Sequence, residues 1–369
     1  MSILDIGKTV AYVPATLNNV RSAEGCFIRL KDNSIIYGYS HYYTVNHDCG
    51  PSDIGFLRSY DEGETWPERG ILFGDGSENL MDPWLLRMQN GDLGLVYIFH
   101  PGCCDDPYDD TYYHKGMAYF ARSADEGKTW TKPMLITPEN EGFCFICDHG
   151  IRLRSGRILL PMANHPYEKG CFGGLSLYGT ACFFYSDDDG ATWHEGPQRL
   201  YGPSRKWSMS GLQEPSPYQT ESGRIRVFCR TDLGCHYETD SDDDGLTWTE
   251  PMPNKEFTGC CAPMVWRRTG QYTVAVLNPV PHFLGREYLM PNPGDDRNPL
   301  VLYISEDDGE TFRNLKLIDD KAGSQYPSIF DGGDYILVGY QVYGDAVIKK
   351  IFHREFNRTL KLENGTVIV

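Results

Sequence analysis

The chain has 369 residues, a formal net charge of −17, 39 glycines, 23 prolines and 13% aromatic residues. Such an acidic balance argues against nucleic acid and anionic membrane surfaces as partners, because both recruit a basic face. The glycine- and proline-rich composition, with no stretch of helical periodicity, reads as all-β and rich in turns.

Residues Met1 to Pro14 lack a basic start and a long apolar core, and no run of 18 apolar residues occurs. Neither a signal peptide nor a membrane-spanning helix is expected, which favours a cytoplasmic chain. A secreted chain whose signal had been removed would read the same. The 12 cysteines include the neighbours Cys103-Cys104 and Cys260-Cys261 but no pair of C-x-x-C motifs at zinc-ligand spacing. They read as unpaired thiols in a reducing compartment, with no metal or cofactor expected.

In chain order, Arg21-Ser-Ala-Glu24-Gly-Cys-Phe-Ile-Arg29 leads into a strand expected over Ser34 to Tyr39. His47-Asp48-Cys-Gly-Pro-Ser-Asp53 follows, with Asp48 11 positions before Ser59. Ser59 opens the phrase Ser-Tyr-Asp61-Glu-Gly63-Glu-Thr65-Trp66, which returns at Ser123 to Trp130, Ser186 to Trp193, Ser241 to Trp248 and Ser305 to Phe312. The five serines are spaced by 64, 63, 55 and 64 residues. A period of about 60 residues is one four-stranded propeller blade with its loops, and 369 residues accommodate roughly six.

The phrase is a hairpin turn with its own fixings. Ser and Asp side chains bind nearby backbone N–H groups, Gly takes positive φ, and the final Trp or Phe supplies an apolar body. Apolar runs precede it at Ile54 to Leu57, Met117 to Phe120, Ala181 to Tyr185 and Leu300 to Ile304. The boxes lack the spacing of a calcium loop and read as structural. Residues 1–369 are therefore expected to form a single six-bladed β-propeller.

Ionisable residues near the strand ends are the candidates for chemistry, since inner strands of a propeller converge on one central site. Asp82 stands in Asn-Leu-Met-Asp82-Pro-Trp84, and Asp148 in Asp148-His149-Gly150. Glu214 lies in Gln-Glu214-Pro-Ser, with Arg230 16 positions later. Arg297 lies 8 before Ser305, and Tyr326 opens Tyr326-Pro-Ser-Ile. The loop from Cys103 to Asp110 reads either as a rim of the site or as a contact with a second copy of the chain. Taken singly, each of these residues has a structural explanation: a surface ion pair, a turn, a strand aromatic.

Together, the ordered set resembles the exo-sialidases (neuraminidases) over essentially the whole chain. The resemblance implies that Arg230 and Arg297 are two of three arginines gripping a sugar carboxylate. It implies Tyr326 as nucleophile, Glu214 as the carboxylate that activates it, and Asp48 as acid/base on the loop before the first box, where Asp53 also keeps its distance. The family opens with Arg-Ile-Pro, which this chain lacks; Arg21 is taken as the first arginine and Arg29 as its rival. Asp82 and Asp148 would contact the sugar or satisfy backbone at the axis.

The roles are chemically coherent. Guanidinium forks match a planar carboxylate bidentately and do not titrate. A neutral phenol is not repelled by a carboxylate beside the reacting carbon, and it needs a base to attack. The expected activity is retaining release of a terminal α-linked sialic acid from a glycan. The alternatives are a related acidic sugar (Kdn, Kdo or pseudaminic acid), transfer to another sugar, and carbohydrate binding without catalysis.

Overall fold

Each repeat forms the expected strand–turn–strand unit, and successive units build antiparallel meanders around a common axis. The computed structural model describes residues 4–103, 113–281, 297–357, 361–363 and 366–368. Blade I comprises Arg21–Arg29, Ile35–Tyr42, Ser52–Ser59 and Glu68–Phe73. Blade II follows with Asn79–Arg87, Leu93–His100, Met117–Ser123 and Met134–Leu135. In blade III, the short strands Phe143–Cys144 and Ile151–Arg152 pair with Ile158–Asn164, which continues to Thr180–Ser186 and His194–Glu195. Blade IV is Gln213–Gln219, Ile225–Arg230, Cys235–Ser241 and Met252–Thr258. Blade V is Val265–Thr269, Tyr272–Leu277, Leu300–Ser305 and Arg313–Asp319, with Leu4–Asp5 added in parallel at its edge. Blade VI is Ser324–Asp331, Tyr335–Val342 and Asp345–Phe352, completed by Lys8–Val13 from the other end of the chain.

The molecule is thus a six-bladed propeller when its meanders are counted. The six blades lie in five hydrogen-bonded sheets, because a parallel pair between Ser52 and Asn79 fuses blades I and II into one eight-stranded sheet. The interior divides accordingly. Among the described residues there are six apolar clusters, one for each junction between neighbouring blades. The blades have no common central core, so each is stabilised by the faces it buries against its two neighbours. Among the described residues no helix is long and apolar enough to cross a membrane.

The five boxes share one geometry. In the third, Ser186 Oγ donates to Asp188 at 2.9 Å and accepts the Gly190 N–H at 2.7 Å, while Asp188 accepts both the N–H (2.8 Å) and the hydroxyl (2.6 Å) of Thr192. Each box aromatic enters the apolar cluster facing the preceding blade: Trp66, Trp130, Trp193, Trp248 and Phe312 in turn. The residue before each box glycine adopts positive φ, between 57° at Asp244 and 62° at Glu126. In blades I, II and III that turn aims its carboxylate at an arginine ending the blade's inner strand. Arg29 meets Glu62 at 2.7 Å, Arg87 meets Glu126 at 2.6 Å and Arg152 meets Asp189 at 2.7 Å. The same carboxylates reach the preceding blade, as in Tyr335 Oη to Glu62 (2.6 Å) and Lys31 N–H to Glu126 (2.9 Å).

Ser186 is fully buried, so replacing it by Ala leaves the Gly190 N–H without its acceptor. Urea unfolding of Ser186→Ala is expected to show a loss of about 1–3 kcal/mol. Ligand binding at the opposite end of the axis should be unchanged, and a loss of affinity there would contradict a purely structural role for the boxes.

Candidate active site

The inner strands carry a second repeated device at the end of the axis opposite the boxes. Glu24, Asp82, Asp148, Glu214 and Tyr326 all have positive φ, at 39°, 54°, 60°, 45° and 52°. Four of them sit at register breaks of the inner strand, between Ala23 and Gly25, Met81 and Trp84, Gln213 and Ser216, and Gln325 and Ser328. A bulge of this kind re-aims one side chain, here away from the blade face and toward the axis. Left-handed backbone at a non-glycine residue costs about 1–2 kcal/mol, and it persists where the surroundings over-determine it. Proline follows three of these residues (Pro83, Pro215, Pro327) and brings no N–H for the interrupted ladder to leave unpaired. After Glu24 the chain uses Gly25, where a Cβ would lie 2.1 Å from the Tyr37 ring.

Three buried arginines meet these side chains. Arg21, at the start of blade I's inner strand, binds Glu24 and Asp48 at 2.6 Å each and lies 4.6 Å from the centre of the Tyr42 ring. Arg230 binds Glu214 Oε1 at 2.6 Å and donates its Nε–H to Cys261 Sγ at 3.2 Å. Arg297 donates to the Gln325 side chain and to the Cys261 carbonyl (3.0 Å), and its guanidinium carbon lies 5.2 Å from the Tyr326 ring centre.

The electrostatics tie these pairs into one site. Burial pushes the Tyr326 phenol up to about 12; Arg297 and Arg230 oppose this, while Glu214 and Glu24 add to it. Burial also raises the Asp82 carboxyl well above its ordinary range, and Glu24, Asp48 and Glu214 raise it further. Glu24 is raised by burial against the pull of Arg21. For Asp48, burial opposes ionisation, but Arg21 beside it prevails and holds the carboxyl below its usual range. Glu24 Oε2, Asp82 Oδ1 and Glu214 Oε2 are buried acceptors with no hydrogen-bond partner in the protein. Buried acceptors of this kind could be satisfied by a ligand that brings hydroxyl or N–H donors.

The predicted residues therefore divide. Arg21, Asp48, Asp82, Glu214, Arg230, Arg297 and Tyr326 come together. Asp148 does not: its carboxylate accepts the Ile329 N–H at 2.9 Å and pairs with Arg267 at 3.0 Å, joining blade III to blades V and VI. Arg29 belongs to the box end, so Arg21 is the arginine that reaches the site. Asp53 anchors the Asp48 loop, accepting from Tyr43 Oη at 2.7 Å and from the Gly76 N–H at 3.1 Å. Glu214 gives Oε1 to Arg230 rather than to Tyr326. Glu24 and Cys261 are site residues that the sequence reading did not single out. Cys104 to Asp110 lie outside the described residues. No group of three or more His, Cys, Asp or Glu among the described residues is arranged to hold a metal ion.

The Asp82 proton gives a direct check of this environment. The unfolded chain loses it near pH 4, whereas the folded chain retains it to a higher pH. Its contribution to stability is full below the unfolded value and is lost as pH rises through the folded value. Asp82→Asn removes that loss. The variant's melting temperature relative to wild type should therefore be higher at pH 7.5 than at pH 4, by roughly 2 °C or more; a pH-independent difference would contradict the buried, protonated Asp82.

Comparison with known proteins gives the chain's relatives and its fold. Sialidase-3 of Rattus norvegicus is 29% identical over 150 residues, covering 37% of this chain and 34% of the relative. A sialidase of Bacteroides fragilis is 22% identical over 294 residues, covering 70% of this chain and 48% of the relative. The chain thus spans between about a third and half of the length of these curated relatives. Among solved structures, the Hadza microbial sialidase Hz136 superposes with a TM-score of 0.70 at 16% identity, over 91% of this chain and 66% of that one, a likeness of fold. A BNR repeat-like domain is matched over residues 46–338, most of the length, and the chain belongs to that family within the sialidase superfamily.

Proposed function

We propose that this propeller is a retaining exo-glycosidase releasing a terminal α-linked sialic acid, with Tyr326 as nucleophile. The observation that supports it best is the cluster of Arg21, Arg230 and Arg297 around Tyr326, Glu214 and Asp48, beside unpartnered buried carboxylate oxygens. The arginines supply a seat for one carboxylate, and the oxygens accept from the hydroxyl and amide groups of the same small molecule. The relatives that match along the chain are named sialidases, which supports the same choice of sugar.

The geometry is compatible with the following reaction. Tyr326 is neutral in the resting site and therefore approaches an anomeric carbon next to a carboxylate without repulsion. Glu214 keeps Oε1 on Arg230 and offers Oε2 to the phenolic proton as the tyrosine attacks. Asp48 must enter this step protonated, yet Arg21 holds it ionised in the free protein. A substrate carboxylate seated on Arg21 displaces Asp48, whose side chain is 44% exposed and able to move. Without its counter-ion Asp48 gains a proton more readily and can donate it to the departing oxygen. It then takes a proton from the water that releases the sugar.

Tyr326→Phe should lower release of a fluorogenic sialoside by more than about 100-fold while the variant still binds the free sugar. Asp48→Asn should lower kcat by about 10²–10⁴-fold on a natural glycan and much less on an aryl sialoside, whose leaving group needs little protonation. Unchanged activity in the Phe variant would remove Tyr326 as nucleophile. A panel of sialic acid, Kdn, Kdo and pseudaminic acid glycosides, run with and without an acceptor sugar, fixes the substrate and separates hydrolysis from transfer. Wild-type binding without cleavage across the whole panel would mean a lectin.

A further inference from the structure

Blade V differs from the others at the axis. Its inner strand is preceded by Gly259-Cys260-Cys261-Ala262-Pro263, with Ala262 before the proline where blades II, IV and VI place Asp82, Glu214 and Tyr326. It presents no ionisable oxygen there. What it presents is Cys261, 4% exposed, between two arginines of the site. The Cys261 thiol sulfur accepts the Arg230 Nε–H at 3.2 Å, and the Cys261 carbonyl accepts from Arg297 at 3.0 Å.

The segment is fixed on both sides. The Gly259 N–H donates to the Gly234 carbonyl at 3.1 Å, and the Ala262 N–H donates to the Cys260 carbonyl at 2.7 Å. His236 Nε2 lies 3.1 Å from the Ala262 carbonyl oxygen. A side chain at position 259 would bring its Cβ within 2.7 Å of the Asn278 carbonyl oxygen, so the chain can pass there only as glycine. Cys261 therefore sits on a rigid support rather than a loose loop.

The type of acceptor matters. Arg21 is flanked by two carboxylates, Glu24 and Asp48, which offset its charge. Arg230 already carries Glu214 at one nitrogen. A carboxylate at its Nε would cancel the remaining field and leave a buried cluster that repels an anion. A thiol satisfies the Nε–H with an uncharged atom of the right size, and the neighbouring carbonyl does the same for Arg297. The guanidinium pair stays oriented, and Cys261 adds no carboxylate beside it.

We infer that Cys261 is a positioning residue that clamps Arg230 and Arg297 with uncharged acceptors and so tunes the site for the carboxylate of an acidic sugar. The inference rests on the glycosidase reading for its substrate but not for its geometry. Its test compares Cys261→Ser, Cys261→Ala and Cys261→Asp, each first checked for an unchanged melting profile. With the acidic sugar that wild type turns over, the Ala variant should show KM raised about tenfold with kcat within threefold, and the Ser variant should restore KM to within about threefold. The Asp variant should bind the sugar more weakly than the Ala variant. Equal KM in wild type and Ala variant would overturn the inference. So would an Asp variant that binds as well as wild type.

A readout that needs no substrate accompanies these. In ¹⁵N-arginine spectra the Arg230 Nε–H should exchange slowly in wild type and in Cys261→Ser, and rapidly in Cys261→Ala. If wild type proves inert toward every acidic sugar, the glycosidase reading falls, and this exchange measurement still decides the clamp: slow exchange in the Ala variant rejects it.

Discussion

A backbone bulge with one left-handed residue, repeated on the inner strands of blades I, II, IV and VI, is the constraint on which the site depends. An extended strand points its side chains alternately to its two faces, and in a propeller both faces are covered by neighbouring blades. An ordinary inner strand therefore has no means of presenting a side chain down the axis. The break at Glu24, Asp82, Glu214 and Tyr326 provides it, and neighbouring blades then deliver their carboxylates and phenol into one space. Arg21, Arg230 and Arg297 are buried because these groups are there to receive them; an arginine without such partners could not be held so far from water.

The two ends of the blades divide stability from function. At the box end Glu62, Glu126 and Asp189 are turned by a positive φ onto an arginine of their own blade and a donor of the preceding one, so these turns act as fasteners between neighbours. At the other end the same device leaves Glu24 Oε2, Asp82 Oδ1 and Glu214 Oε2 desolvated without donors. That arrangement opposes folding, and the six apolar clusters between blades offset it. A bound ligand rich in hydroxyls would relieve it, turning desolvation cost into affinity. Closure of blade VI by Lys8–Val13 completes the ring and keeps the axial residues at fixed distances from one another.

The boxes made the fold legible in the sequence, since five copies at near-constant spacing specify blades directly. They also gave Asp48 and Arg297 meaning as distances from a known turn. The shared X-Pro dipeptides at Asp82, Glu214 and Tyr326 were a further signal, because a proline after the bulge marks the axial position. Glu24 lacks that mark: Gly25 follows it, dictated by the Tyr37 ring rather than by the ladder, and an acidic residue three after an arginine reads as an ordinary surface pair. Of the two roles open to Asp148, the structure shows the second, satisfying a backbone group. It has the axial backbone conformation, but its carboxylate is taken by Arg267 and Ile329, a contact between residues far apart in the chain. Cys261 was unreadable because a buried thiol carries no pattern of its own; only its neighbours give it a role.

The account stands on Tyr326 forming a bond to the anomeric carbon. The most direct measurement is mass spectrometry of peptides after incubation with a 2,3-difluoro acidic sugar. The fluoride at the anomeric carbon leaves as the phenolic oxygen attacks, Glu214 takes the phenolic proton, and the remaining fluorine slows the second step. The account predicts one sugar equivalent on the peptide containing Tyr326, lost on prolonged incubation and absent in Tyr326→Phe. A label on Asp48 or Glu214, or turnover of a sialoside with no labelling of Tyr326, would contradict it.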